Sequence, residues 1–522
     1  MLKRWLEFAG RPHRAEFFLR VAALAFFVWL TGRFWHPHYG FTKFLLLDTQ
    51  SATMLGPELR AAPLYTYQDG YDGHYYAQLA ARPLVNDPAL AVSIDNVGYR
   101  ARRILLSWLG WAAGWGEPVA AVRAFAWLNL VLWFGLAALL WKLFPLGSWR
   151  GAVAWGGLLF SAGVLHSVRL ALTDLLAFGL VAWAVWQIER GRHNRATGLL
   201  ALAALARETA LLGAVALVPT TRLDRPNFLR AAFRILCVPL PLIAWIFYLN
   251  ATIGRPEPGL GNFMWPLSGW LGKGGEAWAN FGNGTDRWLA ITTLLAHVAL
   301  TVQLGWLAVR PGWADRWWRV GAVYGVMALF LGTAVWEGHP GAAVRVLLPL
   351  GLAFNVLAVR SRASAWWLVT GNLSVLSGVL VLWAVPVDAH ELAAGRSSPF
   401  SYVAHTDATW YPRESGGGQA WAWSSGGGAV EIETWPRISG VRSVQVRLRA
   451  IGVRPVEIRQ GDTVLWSGEL GERARWIDLP VVRLREGRAV ITITSAAPPW
   501  REGDGGRELS FALYGLRVDG EP

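Results

Sequence analysis

The sequence is poor in cysteine and in charge. Only one of its 522 residues is a cysteine, Cys237, and it lies inside an apolar run. A disulfide framework and a cysteine-based metal site are therefore excluded. Charged residues make up 16% of the chain, hydrophobic residues make up 54%, and the mean hydropathy is +0.31. A chain this apolar is not an ordinary soluble enzyme.

The sequence also lacks a glycine-rich loop of the kind that holds nucleotide phosphates. Its net charge of +14 does not indicate a nucleic-acid partner, because the basic residues mostly lie in short connections between apolar runs. Many of the 33 tryptophans lie near the ends of those runs, where amphipathic rings favour the membrane–water interface. These features predict a membrane protein whose partner is the lipid bilayer.

The apolar runs predict an α-helical polytopic membrane protein with about nine long spans, since crossing the hydrocarbon core takes about 20 helical residues. The runs are 16–36, 118–141, 151–168, 170–188, 231–251, 286–309, 318–336, 342–359 and 365–386. No small-residue cleavage site follows the first run, which predicts a retained span and not a signal peptide. Basic residues near the start predict a cytoplasmic N-terminus.

One further apolar stretch, 196–220, is interrupted by Arg207 and Glu208. Basic residues flank it on both sides, so both of its ends are predicted to lie in the cytoplasm. The stretch is then a hairpin of two short helices that turns near Arg207, and not a single crossing. The same count places the long loop 37–117 and the tail after residue 386 on the outer side of the membrane.

The tail has a different pattern, because short alternating runs replace the long apolar ones. Alternation with period two is typical of half-buried strands. Seven or so such strands with glycine-rich connections predict a β-sandwich. We therefore expect a transmembrane domain over 1–386 and a periplasmic or extracellular all-β sandwich over 396–522. Trp421 and Trp423 suit either stacking on a sugar ring or the sandwich core.

The most polar segment lies just beyond the first span. It reads Tyr67-Gln68-Asp69-Gly70-Tyr71-Asp72-Gly73-His74-Tyr75-Tyr76 and contains two carboxylates, a histidine and four tyrosines. Two carboxylates beside a membrane suit the activation of a hydroxyl acceptor or the binding of a cation. The same residues also suit a turn that merely starts a helix.

Other charged residues lie where a bilayer does not readily accept them. An ionised group at the bilayer centre costs about 2.5–3.5 kcal/mol, and such groups usually line a cavity. The candidates on the predicted outer side or at the hairpin tip are Arg100, Arg102, Arg103, Asp174, Arg207, Glu208, Glu337, His339 and Arg345. Each also has a structural interpretation, as a helix-end ion pair, a lipid anchor or a snorkelling side chain.

Together, the carboxylates and arginines suit group transfer from a phosphate-linked donor. A carboxylate such as Asp72 can accept a proton from an attacking hydroxyl, while guanidinium groups match the oxygens of a leaving phosphate. A lipid tail on such a donor needs a groove between the spans, which accounts for their number.

Several stretches resemble the GT-C superfamily of polyprenyl-phosphate-sugar-dependent glycosyltransferases, and in particular bacterial membrane proteins that take part in cell-surface glycopolymer formation. Those proteins typically read Tyr-Asp-Gly-Gln-Tyr-Tyr, where this chain has His74 in place of the glutamine. The similar stretches are Tyr71 to Tyr76, Pro83-Leu84, Tyr99 to Leu106, Leu172 to Leu176, Leu205 to Thr209, and Arg345 to Pro349.

The resemblance implies an inverting glycosyltransferase of the bacterial cytoplasmic (inner) membrane. It would move a sugar from a polyprenyl-phosphate donor to a cell-envelope glycan or lipid acceptor. Asp72 would be the catalytic base, with Asp69 second; Asp174 would orient the acceptor or assist a metal, and Arg345 would contact the donor phosphate. The remaining substrate-binding candidates are His74, Tyr75, Tyr76, Arg100, Arg103, Arg207, Glu208, Glu337 and His339. A divalent cation, Mg²⁺ or Mn²⁺, stays open because members of the superfamily differ in that requirement.

Two other functions suit the same residues. In a transporter or a flippase for a lipid-linked glycan, the charges would line a path, and such proteins often contain inverted repeats with broken spans. The sequence contains no convincing second copy of the 196–220 hairpin. In a non-catalytic glycopolymer assembly factor, the outer β-domain would bind glycan and Asp72 would be dispensable.

Overall fold

The computed structural model describes residues 12–48, 57–220, 225–254, 262–284, 286–503 and 506–519. The chain divides into two compact units, Met1–Phe34 with Phe41–Ala384 and Trp35–Gly40 with Val385–Pro522. The first unit is mainly helical and the second is built of β-strands. The expected fold class, a polytopic helical protein with a C-terminal all-β part, is confirmed.

The first unit contains two short parallel strands and 21 described α-helices. The strands are β1 (Leu47–Asp48) and β2 (Thr66–Tyr67). The helices are α1 (Pro12–Gly32), α2 (Pro57–Arg60), α3 (Asp72–Ala81), α4 (Leu90–Ser93), α5 (Val97–Ala101), α6 (Leu105–Ala113), α7 (Pro118–Leu143), α8 (Trp149–Leu159), α9 (Ala162–Arg169), α10 (Asp174–Glu189), α11 (His193–Ala206), α12 (Arg225–Cys237), α13 (Leu240–Ile253), α14 (Ser268–Asn283), α15 (Arg287–Val309), α16 (Arg316–Phe330), α17 (Thr333–Trp336), α18 (Ala343–Val346), α19 (Leu348–Arg360), α20 (Ala365–Thr370) and α21 (Ser374–Trp383). Two 3₁₀ helices cover Thr42–Phe44 and Glu208–Leu217.

Six helical segments in the described part of the chain are long and apolar enough to cross a membrane. They are His13–Gly32, Pro118–Leu143, Trp149–Arg169, Arg225–Ile253, Arg287–Val309 and Ala365–Trp383. These six have the length of a full span, and shorter apolar helices such as α19 add to them, in line with the many spans that the hydropathy predicts. These segments support a multi-pass membrane protein.

The three remaining apolar runs form shorter helices. Helices α10, α16 and α19 have 16, 15 and 13 residues. Helix α16 ends because Leu331 is extended, with φ −61° and ψ 127°. Helix α19 starts anew at Leu348, with Pro349 in its first turn, where a missing N–H costs nothing. Hydropathy does not detect these breaks, because the residues at them are as apolar as their neighbours.

The predicted hairpin is present and turns at Arg207. Helix α11 ends there because Arg207 is extended, with φ −161° and ψ 131°, and the ten-residue 3₁₀ helix Glu208–Leu217 follows. That helix packs against α10, α11 and α16, and the Tyr324 hydroxyl of α16 donates a hydrogen bond to the Thr209 carbonyl at 2.9 Å. Runs of 3₁₀ helix longer than about four residues are uncommon. Tertiary packing therefore maintains the second arm.

The second unit is a β-sandwich, as its alternating pattern predicts. Its strands are β3 (Glu391–Ser397), β4 (Phe400–Thr406), β5 (Glu414–Gly416), β6 (Gln419–Ser424), β7 (Gly427–Trp435), β8 (Gly440–Ala450), β9 (Arg454–Gln460), β10 (Thr463–Leu470), β11 (Arg475–Leu484), β12 (Arg488–Thr494), β13 (Trp500–Arg501), β14 (Glu508–Leu509) and β15 (Phe511–Val518). One sheet has the order β10-β9-β12-β7-β4-β3 and the other has the order β11-β8-β15-β6-β5. Val446, Ile458 and Ile491 from both sheets meet in one apolar core.

The two tryptophans singled out in the tail lie outside that main core. Trp423 is buried in a small cluster with Leu509 and Ala512. Trp421 is half-buried, and its ring stacks on Tyr514 with 5.6 Å between the ring centroids.

Candidate functional site

The polar segment after the first span both starts a helix and contributes to a cavity. Asp72 is the first residue of α3, where a carboxylate is favoured by the helix dipole. Gly73 allows α3 to approach the neighbouring backbone closely, since a Cβ at this position would lie 2.2 Å from the Leu170 carbonyl oxygen. The segment can therefore start a helix and also supply a carboxylate to the cavity.

A cavity of about 1470 Å³ lies inside the first unit, and its lining divides by chemistry. The polar lining consists of Tyr71, Asp72, Asn96, Tyr99, Arg100, Arg102, Arg103, Arg207, Glu208, Thr209, Asn262, Glu337 and Arg345. The apolar lining includes Leu211, Leu212, Phe263, Val323, Val326, Met327, Phe330, Leu331, Val335 and Val346. A molecule with a charged head and a hydrocarbon tail matches both parts.

Arg100 joins two carboxylates at the polar part of the cavity. Its Nη1 lies 2.9 Å from Asp72 Oδ1, and its Nε and Nη2 donate to the two oxygens of Asp95 at 3.0 and 2.7 Å. Burial favours the neutral form of Asp95, but these bonds from Arg100 outweigh it and hold the pKa of Asp95 below its usual range. The Asp72 carboxylate is thereby fixed in place while 29% of its side chain stays exposed.

Arg103 connects the first loop to the hairpin tip. Its Nε donates to Glu208 Oε2 at 3.0 Å, and its other nitrogens donate to the hydroxyls of Tyr76 at 3.1 Å and Tyr99 at 2.9 Å. Asn262 also donates to the Tyr99 hydroxyl, at 3.4 Å. Segments more than 100 residues apart in sequence are held together here by one buried guanidinium.

Asp174 lies behind the cavity wall and holds two arginines that line it. Its side chain is only 2% exposed, and it forms ion pairs with Arg207 and, at 3.9 Å, with Arg345. Arg345 Nη2 also donates to the Tyr71 hydroxyl at 3.0 Å. Asp174 is therefore positioned to orient cationic groups and does not itself line the cavity.

Besides Asp174 and Tyr76, four predicted site residues do not line the cavity. Asp69 is exposed. The Tyr75 ring packs under the Arg100 guanidinium at 4.7 Å, and His339 Nδ1 lies 3.2 Å from the Thr293 hydroxyl. His74 is buried.

His74 forms part of the support beneath the cavity. Its Nδ1 accepts the Asp48 N–H at 3.2 Å, and its Nε2 lies 2.8 Å from the Gln78 side-chain nitrogen. Burial lowers the pKa of His74 to about 4, so the ring is neutral near pH 7. A direct contact of His74 with substrate stays a prediction that this geometry does not favour.

The structure thus brings together Asp72, Arg100, Arg103, Arg207, Glu208, Glu337 and Arg345 in one cavity, with Asp174 and Tyr76 directly behind them. Sequence reasoning did not assign site roles to Tyr71, Asn96, Tyr99 and Asn262, and it named Arg102 only as a charge in apolar surroundings. Tyr71, Tyr99 and Arg102 lie inside the stretches that carry the resemblance, so a signal was present. No polar motif marks the apolar wall, because residues such as Leu211, Val323 and Met327 lie within mostly apolar runs.

The described residues contain no group of three or more His, Cys, Asp or Glu that would hold a metal ion. At the cavity, the carboxylates of Asp72, Asp95 and Glu208 lie against guanidinium groups. Divalent Mg²⁺ and Mn²⁺ prefer several oxygen ligands, and a set rich in arginine suits an anion instead. A divalent cation stays an expectation of the resemblance.

No protein-family model matches the chain, and the comparison with curated proteins gives no match. Three similar solved structures show low identity. TmCBM61 in complex with β-1,4-galactotriose has 15% identity and a TM-score of 0.16, and the match covers 24% of this chain and 92% of that chain.

The other two are arabinose-type sugar transferases by name. Arabinofuranosyltransferase AftD from Mycobacteria has 12% identity and a TM-score of 0.37, with 96% of this chain and 58% of that chain covered. Arabinosyltransferase EmbB from Mycobacterium smegmatis has 11% identity and a TM-score of 0.22, with 85% and 62% covered. This chain therefore spans less than two thirds of either transferase, and similarities this low assign it no activity.

Proposed function

We propose that the protein is an inverting glycosyltransferase of the bacterial inner membrane. It would transfer a sugar from a polyprenyl-phosphate donor to a glycan or lipid acceptor of the cell envelope, on the outer side of the membrane. The observation that supports this proposal is the two-part lining of the cavity, where Asp72 and five arginines lie in the same space as an apolar wall.

The donor fits both parts of the lining. Its isoprenoid tail would lie against the apolar side chains of α16, among them Val323 and Met327, and against Leu211 of the hairpin. Its phosphate would meet the arginines, since guanidinium forks match phosphate oxygens. In this proposal the sugar would lie next to Asp72.

The proposed step is a single displacement at the anomeric carbon. An acceptor hydroxyl oxygen forms a bond to that carbon, and its proton passes to the Asp72 carboxylate. The bond between the carbon and the phosphate oxygen breaks, and polyprenyl phosphate leaves with the electron pair. Arg345 and Arg207, both oriented by Asp174, stabilise the charge of the leaving phosphate.

The test replaces Asp72 with asparagine in the native host. The Asp72→Asn variant keeps the shape of the side chain but cannot take up the proton, so one sugar is expected to disappear from the surface glycan. Mass analysis of lipid extracts should show the matching polyprenyl-phosphate sugar accumulating, while immunoblots show normal amounts of the protein in the membrane.

The matched control is Asp286→Asn. Asp286 is exposed, has φ 45° and does not line the cavity, and asparagine tolerates this backbone conformation. The surface glycan of Asp286→Asn cells should equal that of wild-type cells. An unchanged glycan in Asp72→Asn cells would rule out Asp72 as the base. Accumulation of a completed lipid-linked glycan, in place of a single-sugar carrier, would favour the transporter.

A further inference from the structure

Arg102 differs from the other four arginines of the cavity in having no carboxylate partner. Arg100 pairs with Asp72 and Asp95, and Arg103 pairs with Glu208. Arg207 and Arg345 share Asp174. Arg102 also lines the cavity, and no ion pair to it occurs in the part of the chain that the structure describes.

The guanidinium of Arg102 also has an unsatisfied hydrogen-bond donor. Its Nε is buried and has no hydrogen-bond partner. A buried donor without a partner costs about 1–3 kcal/mol, and more when the group is charged. No hydrogen bond within the described part of the chain therefore ties the Arg102 side chain to the protein.

The backbone around Arg102 is held firmly by its neighbours. Arg102 follows α5, between Arg100 and Arg103, whose side chains are both fixed by carboxylates. The Trp245 indole donates to the Ala101 carbonyl at 2.7 Å. The backbone that carries Arg102 is therefore fixed, so less backbone entropy is lost when its side chain binds a ligand in the cavity.

We propose that Arg102 is the primary binding group for the phosphate of the prenyl-linked donor. This inference rests on the proposed function. The other four arginines form ion pairs with Asp72, Asp95, Asp174 or Glu208, whereas the positive charge of Arg102 is not paired with a described carboxylate and is available to a phosphodiester. Its planar fork can donate two parallel hydrogen bonds to one phosphate.

Arg102 is a binding residue in this proposal, not a catalytic one. The test measures equilibrium binding of radiolabelled farnesyl phosphate to the purified full chain in detergent, with farnesol and phosphatidylglycerol as competitors. Wild type should bind farnesyl phosphate, and neither competitor should displace it efficiently.

Arg102→Gln should weaken that binding by about tenfold or more, because a hydrogen-bonded charge is lost. Arg102→Lys, which keeps the charge but loses the fork, should give an intermediate value. The thermal midpoint of the ligand-free protein should not fall, since no internal ion pair is broken. The matched control is Arg195→Gln on the exposed face of α11, which should bind as the wild type does.

The outcomes separate this inference from the proposed function. Equal binding of farnesyl phosphate and farnesol by the wild type would overturn the phosphate-linked donor itself. A wild type that prefers farnesyl phosphate, with unchanged affinity in Arg102→Gln, would overturn only the role of Arg102. A third outcome is that phosphatidylglycerol displaces farnesyl phosphate efficiently from the wild type but not from Arg102→Gln. That result would assign Arg102 to a lipid headgroup and would also overturn the inference.

Discussion

At the scale of single residues, the carboxylates around the cavity mainly position arginines. Asp95 and Asp72 hold Arg100, and Asp174 holds two further arginines from a site behind the wall. Buried ion pairs of this kind are weak evidence for added stability, because desolvation offsets the attraction. Removing one partner is costly, however, since the other charge is left buried and unpaired.

Asp174→Asn should therefore strongly destabilise the first unit. Arg207 and Arg345, whose side chains are 14% and 5% exposed, would lose their shared carboxylate. Breaking a buried pair typically costs about 3–5 kcal/mol, and the thermal midpoint of the detergent-solubilised protein should fall clearly. The same measurement on the exposed Asp286→Asn should show no change. Equal midpoints for the two variants would contradict the central position of Asp174.

The orientation of side chains on α3 explains which residues of the polar segment reach the cavity. Residues two positions apart lie on nearly opposite faces of a helix, whereas residues four apart share a face. Asp72 and Tyr76 share the face toward the cavity and Arg103, and His74 shares the buried face with Gln78. Treating the segment as part of the long loop 37–117 does not separate the residues that face the cavity from those that are buried.

At the scale of secondary-structure elements, an ion pair links the start of β3 to β4. Asp388 Oδ2 lies 3.4 Å from His405 Nε2. The hydrogen bond to His405 lowers the pKa of Asp388 to about 2 despite partial burial. Burial opposes protonation of His405, but Asp388, Glu391 and Glu433 outweigh it and raise the pKa of His405 above 6.5.

The pair should stabilise the second unit most at mildly acidic pH. The contribution of Asp388 is present above its unfolded pKa of about 3.9 and is lost as the pH falls toward 2. The contribution of His405 is present below its unfolded pKa of about 6.5 and is lost as the pH rises through the higher folded value. Both contributions are present between these limits.

Asp388→Asn should therefore destabilise the second unit more at about pH 5.5 than at about pH 9. The side chains are partly exposed, 34% for Asp388 and 26% for His405, so solvent screening limits the effect to below about 1 kcal/mol. Pulse proteolysis of the full chain in urea, following cleavage of the C-terminal unit, gives the midpoints. A difference that grows toward pH 9 would contradict the pairing.

At the scale of the whole molecule, the second unit is not one continuous piece of chain. It includes Trp35–Gly40. The apolar pattern instead predicts that this segment is the end of the first span and the start of the first loop. His36 Nε2 lies 3.1 Å from Glu391 Oε1. His36 Nδ1 accepts the N–H groups of His38 and Tyr39 at 3.2 and 3.1 Å. A distant segment thus completes the β-unit.

His36→Ala should lower the free energy of unfolding of the second unit by about 1–3 kcal/mol, because buried hydrogen-bonding groups lose their partner. Hydrogen exchange of the β3 amides in the full chain provides the measurement, and their protection should fall. The control is His13→Ala in α1, where the imidazole is exposed, and β3 protection should not change there. Unaltered protection in His36→Ala would show that the segment does not stabilise the strands.

The sequence by itself determined the features that depend on local solvent preference. The apolar runs, the hairpin interrupted by Arg207 and Glu208, and the alternating strands after residue 390 each follow from periodicity and from the cost of placing polar groups in lipid. Side chains as separate in sequence as Asp72, Glu208 and Arg345 line one cavity. The sequence marked each of them as a candidate, because charges in such apolar surroundings are rare.

Only the tertiary structure decided which candidates share an environment. Asp174 lies behind the wall, His74 lies on the buried face of α3, and Arg102 alone among the cavity arginines has no carboxylate partner in the described chain. Helix breaks at apolar residues such as Leu331 are likewise not detected by hydropathy. The physical reason is that pairing and side-chain direction depend on packing between distant segments, whereas hydropathy reports only on neighbours along the chain.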